Sequence, residues 1–195
     1  MQDQDRSHGP APSGQPLPPG CRLFPLTTRP DARGDLTEVL RAEWFDTPLP
    51  TRWQAIRSKP NALRGTYLQC RAWSYVCLLS GGAIIGLHDL RPNAPDARTS
   101  ALLRLTGGQR QVMVIPPGVA HGLYFPEAAL YLIGTGGDAG REPLRCRWDC
   151  PELGLAWPCR TPLQEPADRN AGDYAALLAH YAAGIAAESP AGSTG

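Results

Sequence analysis

The chain has 195 residues, of which 21 are glycine and 21 are proline, and this proportion argues against a bundle of long helices. Its 19 basic and 18 acidic residues give a formal net charge of +1, which argues against a dedicated nucleic-acid-binding protein. No apolar run reaches the roughly 18 residues of a membrane span, and the N-terminus lacks a basic segment followed by an apolar core, so we expect a soluble, cytoplasmic protein.

The ends of the chain differ from its middle in composition. Residues 1–20 are rich in proline and glycine and offer little to bury, so ordering them would cost backbone entropy without compensation. Residues 188–195 have a similar Gly/Ser/Pro character and are expected to fray. We therefore predict one folded domain over residues 21–187, between two flexible tails.

Short apolar runs separated by Gly and Pro turn signals fill the middle of the chain. They predict strands over 36–40, 62–69, 76–79, 83–90, 101–105, 112–115, 122–125 and 129–133. This spacing is typical of an antiparallel sandwich or barrel.

One helix is predicted after these strands. Tyr174, Leu177, Leu178 and Tyr181 recur at helical spacing, and Asp173 is placed to cap the helix start. We expect this helix to dock on the strands near the C-terminus.

The six cysteines are expected to be reduced thiols. Cys146, Cys150 and Cys159 come closest to a zinc cluster, but they lack a second close pair and a nearby histidine. The spacing therefore does not favour structural zinc.

Five segments, in this order, resemble one known family. They are Arg33-Gly34 with Glu38, residues 61–69, residues 115–122, residues 148–158 and residues 168–171. Together they cover about residues 21–181 and are similar to the 3,5-epimerases of dTDP-4-keto-6-deoxyhexoses, the RmlC-type cupins.

The resemblance implies an all-β, antiparallel jelly-roll barrel with a C-terminal helix, commonly a homodimer, that binds a dTDP-sugar without metal or other cofactor. In that family a histidine oriented by an aspartate removes the proton next to the C4 ketone. A tyrosine returns a proton, and a lysine stabilises the enolate oxygen. Such chemistry needs a base near neutral pKa and a donor for the developing negative charge.

The chain departs from the family pattern at these catalytic positions. Tyr67 stands where the histidine is expected, and an ungapped count places Ile85 at the orienting aspartate and Ser74 at the lysine. Ile85 cannot orient a base, and Ser74 carries no charge. We interpret this as a rebuilt pocket that lost base and partner carboxylate together, because a carboxylate without its histidine would be costly to bury.

Other positions of the family pattern are retained. Arg33 and Arg64 match arginines that approach the diphosphate, and Glu38 matches the acidic residue that faces the thymine ring. These residues either recognise a nucleotide or belong to the scaffold. The candidate substrate-binding positions are Arg33, Glu38, Arg64, Gln69, Ser74 and Ile85.

Four residues are candidates for catalysis: Tyr67, His121, Tyr131 and Asp168. By the resemblance His121 lines the substrate cavity; otherwise it is a barrel-mouth histidine satisfied by a backbone carbonyl. Asp168 matches a carboxylate near the catalytic pair, but it could instead cap the turn at Asn170. Tyr131 lies on the expected strand, where a one-residue slip would place Leu132 in the cavity instead.

A metal centre is not expected in the barrel. His88 is three residues from Ile85, so the two side chains should lie on opposite faces of their strand. With no His-x-His pair beside His121, no cofactor or metal is predicted.

Three functions remain open from the sequence. The first is an altered isomerase that still binds a dTDP-linked keto-sugar. The second is a cyclase or rearrangement enzyme recruited to a less polar, polyketide-like natural product, and the third is a binding subunit without chemistry. We favour the first, although a tyrosine with a pKa of ~10 is a poor base at neutral pH.

Overall fold

The computed structural model describes residues 16–94, 98–138 and 142–186. Twelve strands and two α-helices are present in these ranges. The strands are β1 Arg22–Pro25, β2 Thr28–Asp31, β3 Gly34–Thr37, β4 Pro50–Ser58, β5 Ala62–Leu68, β6 Ala72–Ser80, β7 Gly82–Asp89, β8 Ser100–Thr106, β9 Gln111–Ile115, β10 Val119–Phe125, β11 Ala129–Gly137 and β12 Leu144–Arg145. The helices are α1 Pro166–Arg169 and α2 Tyr174–Ala186.

Two five-stranded antiparallel sheets form the body of the fold. One has the order β1-β9-β6-β11-β4 and the other the order β12-β5-β10-β7-β8, while β2 and β3 form a separate hairpin. The predicted all-β jelly-roll barrel with a C-terminal helix is confirmed. None of the helices in the described ranges is long and apolar enough to cross a membrane.

The main core lies between the two sheets. Alternate residues of β6 to β11 point into it, and Val76, Ile85, Leu103, Leu123 and Phe125 are each at most 2 % exposed. Every second residue along these strands therefore faces the interior of the barrel, and most of these residues are apolar, as the sequence predicts.

The helix α2 packs on the outer side of the second sheet. Its first turn is capped as predicted, because the Asp173 carboxylate accepts a 2.9 Å hydrogen bond from the Ala176 backbone N–H. His88 points outward beneath it, between the Ser100 hydroxyl at 2.8 Å and the Tyr174 hydroxyl at 2.9 Å. The prediction that His88 and Ile85 lie on opposite faces is therefore confirmed.

The strand predictions differ from the structure in two respects. The predicted strand over 36–40 is β3 Gly34–Thr37, because Val39 and Leu40 leave the hairpin and pack on the outer face of the first sheet. Strands β1, β2, β4 and β12 were not predicted. The predicted tails lie largely outside the described residues, and the domain limits stay a prediction.

Candidate functional site

The positions at which the sequence departs from the family pattern lie inside the barrel. Ile85 is fully buried and faces Leu103 and Leu123 on the neighbouring strands. Ser74, on β6, is also buried and shares a face with Val76. At both positions the interior is occupied by an uncharged side chain.

Tyr67 has a carboxylate partner, contrary to the sequence interpretation. Its hydroxyl donates a 2.8 Å hydrogen bond to Oδ2 of Asp168, whose side chain is only 1 % exposed. The same oxygen accepts a 3.3 Å bond from the Gly65 backbone N–H. The carboxylate is supplied by α1 and not by position 85, and it does not cap the turn at Asn170.

The local backbone of β5 brings Tyr67 to this point. Between Arg64 and Tyr67 the pairing with β10 is irregular, so that Gly65 lies against Gly122. A Cβ at Gly65, where φ is +117°, would come within 2.8 Å of the Gly122 Cα atom. Glycine is therefore required at this close approach, which sets the position of Tyr67.

An ion pair with Arg145 completes the surroundings of Asp168. Arg145, the cross-strand partner of Tyr67 on β12, places Nη1 2.5 Å from both Asp168 Oδ1 and Glu165 Oε1. Its guanidinium carbon also lies 5.2 Å from the centre of the Tyr67 ring, within the range of a cation–π contact. Neither Arg145 nor Glu165 was identified from the sequence.

These surroundings keep the Tyr67 phenol protonated. Burial raises the pKa of Tyr67 well above its usual range, and the negative charge and hydrogen bonding of Asp168 raise it further. The Arg145 cation opposes this shift in the Tyr67 pKa without overcoming it. Tyr67 is therefore a hydrogen-bond donor to Asp168 and a poor base.

His121 lies directly across from Tyr67. The two residues are partners in the β5–β10 pairing, so their side chains project from the same face. Burial lowers the pKa of His121 to about 4, and a 3.4 Å contact between Nδ1 and the Val119 carbonyl only partly offsets this. At neutral pH the imidazole is uncharged, so it can accept a proton, but its lowered pKa makes it a weaker base than an exposed histidine.

Tyr131 belongs to a different part of the interior. Its ring stacks on Phe125 with centroids 5.2 Å apart, whereas Leu132 packs on the outer face of the first sheet. Phe125 is four positions beyond His121 on β10, or about 13 Å along the strand. The structure thus turns Tyr131 inward but does not bring it beside His121.

Tyr131 is linked instead to Arg64. The Tyr131 hydroxyl is hydrogen-bonded to the side chain of Ser58, which in turn accepts a 3.0 Å bond from Arg64 Nε. Burial raises the pKa of Tyr131 to about 12, against the opposing charge of Arg64. Tyr131 is therefore also neutral at physiological pH.

The remaining candidate nucleotide residues lie away from this cluster. Arg33, with its side chain 90 % exposed, pairs with Asp31 on the β2–β3 hairpin, and Glu38 pairs with Arg41 at 2.6 Å. Gln69 lines a cleft of about 290 Å³ beside α2, which also contacts Leu144 and His180. Within one chain these three residues are not brought together with Tyr67.

The edge strand β4 adds two polar residues that the sequence interpretation missed. Arg52 and Gln54 pair with Thr135 and Ile133 on β11, at alternate positions from the inward-facing pair of Ile56 and Tyr131. They share the inner face of the first sheet but are exposed, because β4 is the last strand of that sheet. They form an open polar side of the barrel.

Among the residues that the structure describes, no group of three or more His, Cys, Asp and Glu side chains is arranged to hold a metal ion. The six cysteines are free thiols.

Comparisons with known proteins agree on one family. Residues 18–175 match the family model of the dTDP-4-dehydrorhamnose 3,5-epimerases. No curated protein gives a significant match.

Solved structures of similar fold include three sugar epimerases. The Legionella pneumophila epimerase RmlC, in complex with dTDP-4-keto-L-rhamnose, is 22% identical over 83% of this chain and 91% of its own, with a TM-score of 0.74. NovW of Streptomyces spheroides, a 4-keto-6-deoxy sugar epimerase from the novobiocin gene cluster, is 24% identical over 88% and 90%, with a TM-score of 0.73. ChmJ of Streptomyces bikiniensis, a 3'-monoepimerase in complex with dTDP-quinovose, is 21% identical over 88% and 91%, with a TM-score of 0.73. At these identities the likeness establishes the fold.

Proposed function

Because the chain belongs to the dTDP-4-dehydrorhamnose 3,5-epimerase family, we propose that it is an isomerase of a nucleotide-linked 4-keto-6-deoxyhexose with an active site rebuilt around His121. The observation that carries this proposal is the buried, neutral imidazole of His121 beside Tyr67. Among the described residues, His121 is the catalytic candidate that is uncharged, unprotonated at neutral pH and free of any ion pair.

The proton-transfer role falls to His121 for electrostatic reasons. A carbon next to a ketone loses its proton to a base that is unprotonated and close to the reacting carbon. Tyr67 and Tyr131 are both neutral phenols with raised pKa values, and Asp168 is already engaged by Tyr67, Gly65 and Arg145. We assign to Tyr67 and Asp168 the task of forming a fixed polar wall beside the base.

The nucleotide half of the substrate is assigned to the open side of the barrel. Arg64, Arg52 and Gln54 face this side from β5 and β4, and arginine forks suit phosphate oxygens. Two of the structurally similar epimerases hold dTDP-sugars, which supports the same ligand class here.

Solvent deuterium exchange tests the proposed activity. In D₂O the wild-type protein is expected to incorporate deuterium next to the ketone of dTDP-4-keto-6-deoxyglucose, as observed by ¹H NMR. His121→Gln should slow this exchange about 100- to 10,000-fold, the usual contribution of a general base. His88→Gln changes the other buried histidine of the barrel and should leave exchange unchanged. If a wild-type protein that is shown to bind dTDP in a separate measurement gave no exchange, the proposal would be rejected.

A recruited, less polar substrate is the second candidate function. The apolar side chains of Ile85 and Leu87 favour it, since they occupy the strand that lies next to His121. Thermal stabilisation by an aromatic polyketide but not by dTDP would support this candidate. A stoichiometric protein partner without turnover would instead support the binding subunit.

We also propose a homodimer formed through the β2–β3 hairpin. Leu36 on this hairpin is 59% exposed, and β4 is an edge strand that pairs only with β11 among the described strands. An open strand edge and an exposed leucine are typical of an interface between copies.

Sedimentation of two leucine variants tests this interface. Leu36→Asp is expected to convert a wild-type dimer to a monomer, because it places a charge in the apolar contact. Leu163→Asp alters another exposed leucine, outside the hairpin, and should remain dimeric. A monomeric wild type, or a Leu36→Asp variant that stays dimeric, would contradict the proposed interface.

The predicted cytoplasmic location remains a prediction.

A further inference from the structure

Arg145 presents an incompletely used cation beside Tyr67. Toward the described residues, its Nη1 atom donates hydrogen bonds to Asp168 and Glu165. Within the described residues, Nε and Nη2 donate none, and the side chain is 30% exposed. One edge of the guanidinium therefore carries N–H donors that no acceptor within the described ranges occupies.

The position of Arg145 relates this cation to the proposed site. It is the cross-strand partner of Tyr67, which is itself the cross-strand partner of His121. The lysine of the family pattern is replaced by the buried, uncharged Ser74. Arg145 instead brings a positive charge beside Tyr67, from β12 of the other sheet.

The two carboxylates around Arg145 differ in kind. Asp168 is buried and also holds Tyr67, so it belongs to the framework. Glu165 is half-exposed, and in the part of the chain that the structure describes its carboxylate is hydrogen-bonded to Arg145 alone. A half-exposed carboxylate on a cation can compete with an incoming anion for that cation.

We propose that Arg145 binds an anionic oxygen of the ligand and that the Glu165 carboxylate competes with this oxygen for Arg145. This inference rests on the proposed function. The oxygen belongs either to a phosphate of the bound nucleotide or to the enolate that forms next to the ketone. Arginine suits either role, since its planar fork offers two parallel N–H donors.

Opposite effects of two substitutions distinguish this role from a structural one. Arg145→Gln and Glu165→Gln both remove the ion pair between Arg145 and Glu165. If this ion pair only stabilised the local structure, both substitutions would change dTDP affinity or the exchange rate in the same direction. Anion binding predicts that Arg145→Gln lowers either the affinity for dTDP or the deuterium exchange rate about tenfold or more, through loss of charge-assisted hydrogen bonds. Glu165→Gln is expected to raise the same quantity by about threefold, because the competing negative charge is removed.

Titration calorimetry with dTDP and the deuterium exchange rate identify the oxygen. A phosphate contact predicts a higher dTDP dissociation constant in Arg145→Gln, whereas an enolate contact predicts slower exchange at an unchanged dissociation constant. Arg147→Gln is the matched control, since Arg147 is an exposed arginine two residues away that pairs with Asp149. It should alter neither quantity.

Each result decides the role of Arg145. Changes of the same sign in Arg145→Gln and Glu165→Gln, or no change in either, overturn the inference. If the wild type binds dTDP but catalyses no exchange, the proposed isomerase activity is rejected. The dTDP dissociation constants of the variants then still test whether Arg145 binds a phosphate. A wild type that neither binds dTDP nor exchanges deuterium rejects both.

Discussion

Ile85→Asp is expected to lower the free energy of unfolding by about 5 kcal/mol at pH 7. The substitution removes a fully buried side chain, at a cost of about 2–4 kcal/mol, and adds a buried carboxylate without a partner. Urea denaturation of the purified variants measures this difference.

The pH dependence of this loss has a definite sign. Burial between Leu103 and Leu123 raises the pKa of the new carboxyl, so the folded state holds a proton that the unfolded state releases above about pH 4. Stability of Ile85→Asp relative to wild type should therefore fall as pH rises from 4 to 7. Ile85→Val is the control, with a loss of about 1 kcal/mol. A loss in Ile85→Asp no larger than in this control would show that the interior accepts a carboxylate and would contradict the packed interior.

Asp168→Ala is expected to lower the free energy of unfolding by about 3 kcal/mol. It leaves the Tyr67 hydroxyl and the Gly65 N–H without their acceptor and removes one of the two carboxylates that Arg145 contacts. Denaturation in urea again gives the measurement.

Two further variants apportion this effect. Glu165→Ala removes the half-exposed carboxylate and should cost less than about 1 kcal/mol. Tyr67→Phe removes one of the donors to Asp168 and should cost about 1–2 kcal/mol. If Asp168→Ala cost no more than Glu165→Ala, the buried network would not be the element that fixes Tyr67.

Much of the fold could be predicted from the sequence because its core follows a simple period. Strands such as β7 and β10 contribute alternate apolar residues and are bounded by turn residues. The strand β4 carries polar residues on both faces because it lies at an open edge, and β12 is only two residues long. Neither strand has the apolar pattern on which the prediction depends.

The site was less predictable because it is assembled by tertiary contacts. Tyr67 and His121 could be named from short motifs, but their protonation states follow from burial. Asp168 was named without its partner, because it meets Tyr67 from a helix 101 residues further along the chain. Arg145 belongs to no motif, and only the pairing of β12 with β5 places it beside Tyr67.

The pH profile of deuterium exchange tests the central role of His121 most directly. Since burial holds the His121 pKa at about 4, the base stays unprotonated and the exchange rate of the wild type should be constant between about pH 6 and 8. The rate should decline only below about pH 5, as the imidazole becomes protonated. A rate that falls with an apparent pKa of ~6.5, the ordinary value for histidine, or a rate unaffected by His121→Gln, would contradict a buried His121 as the proton acceptor.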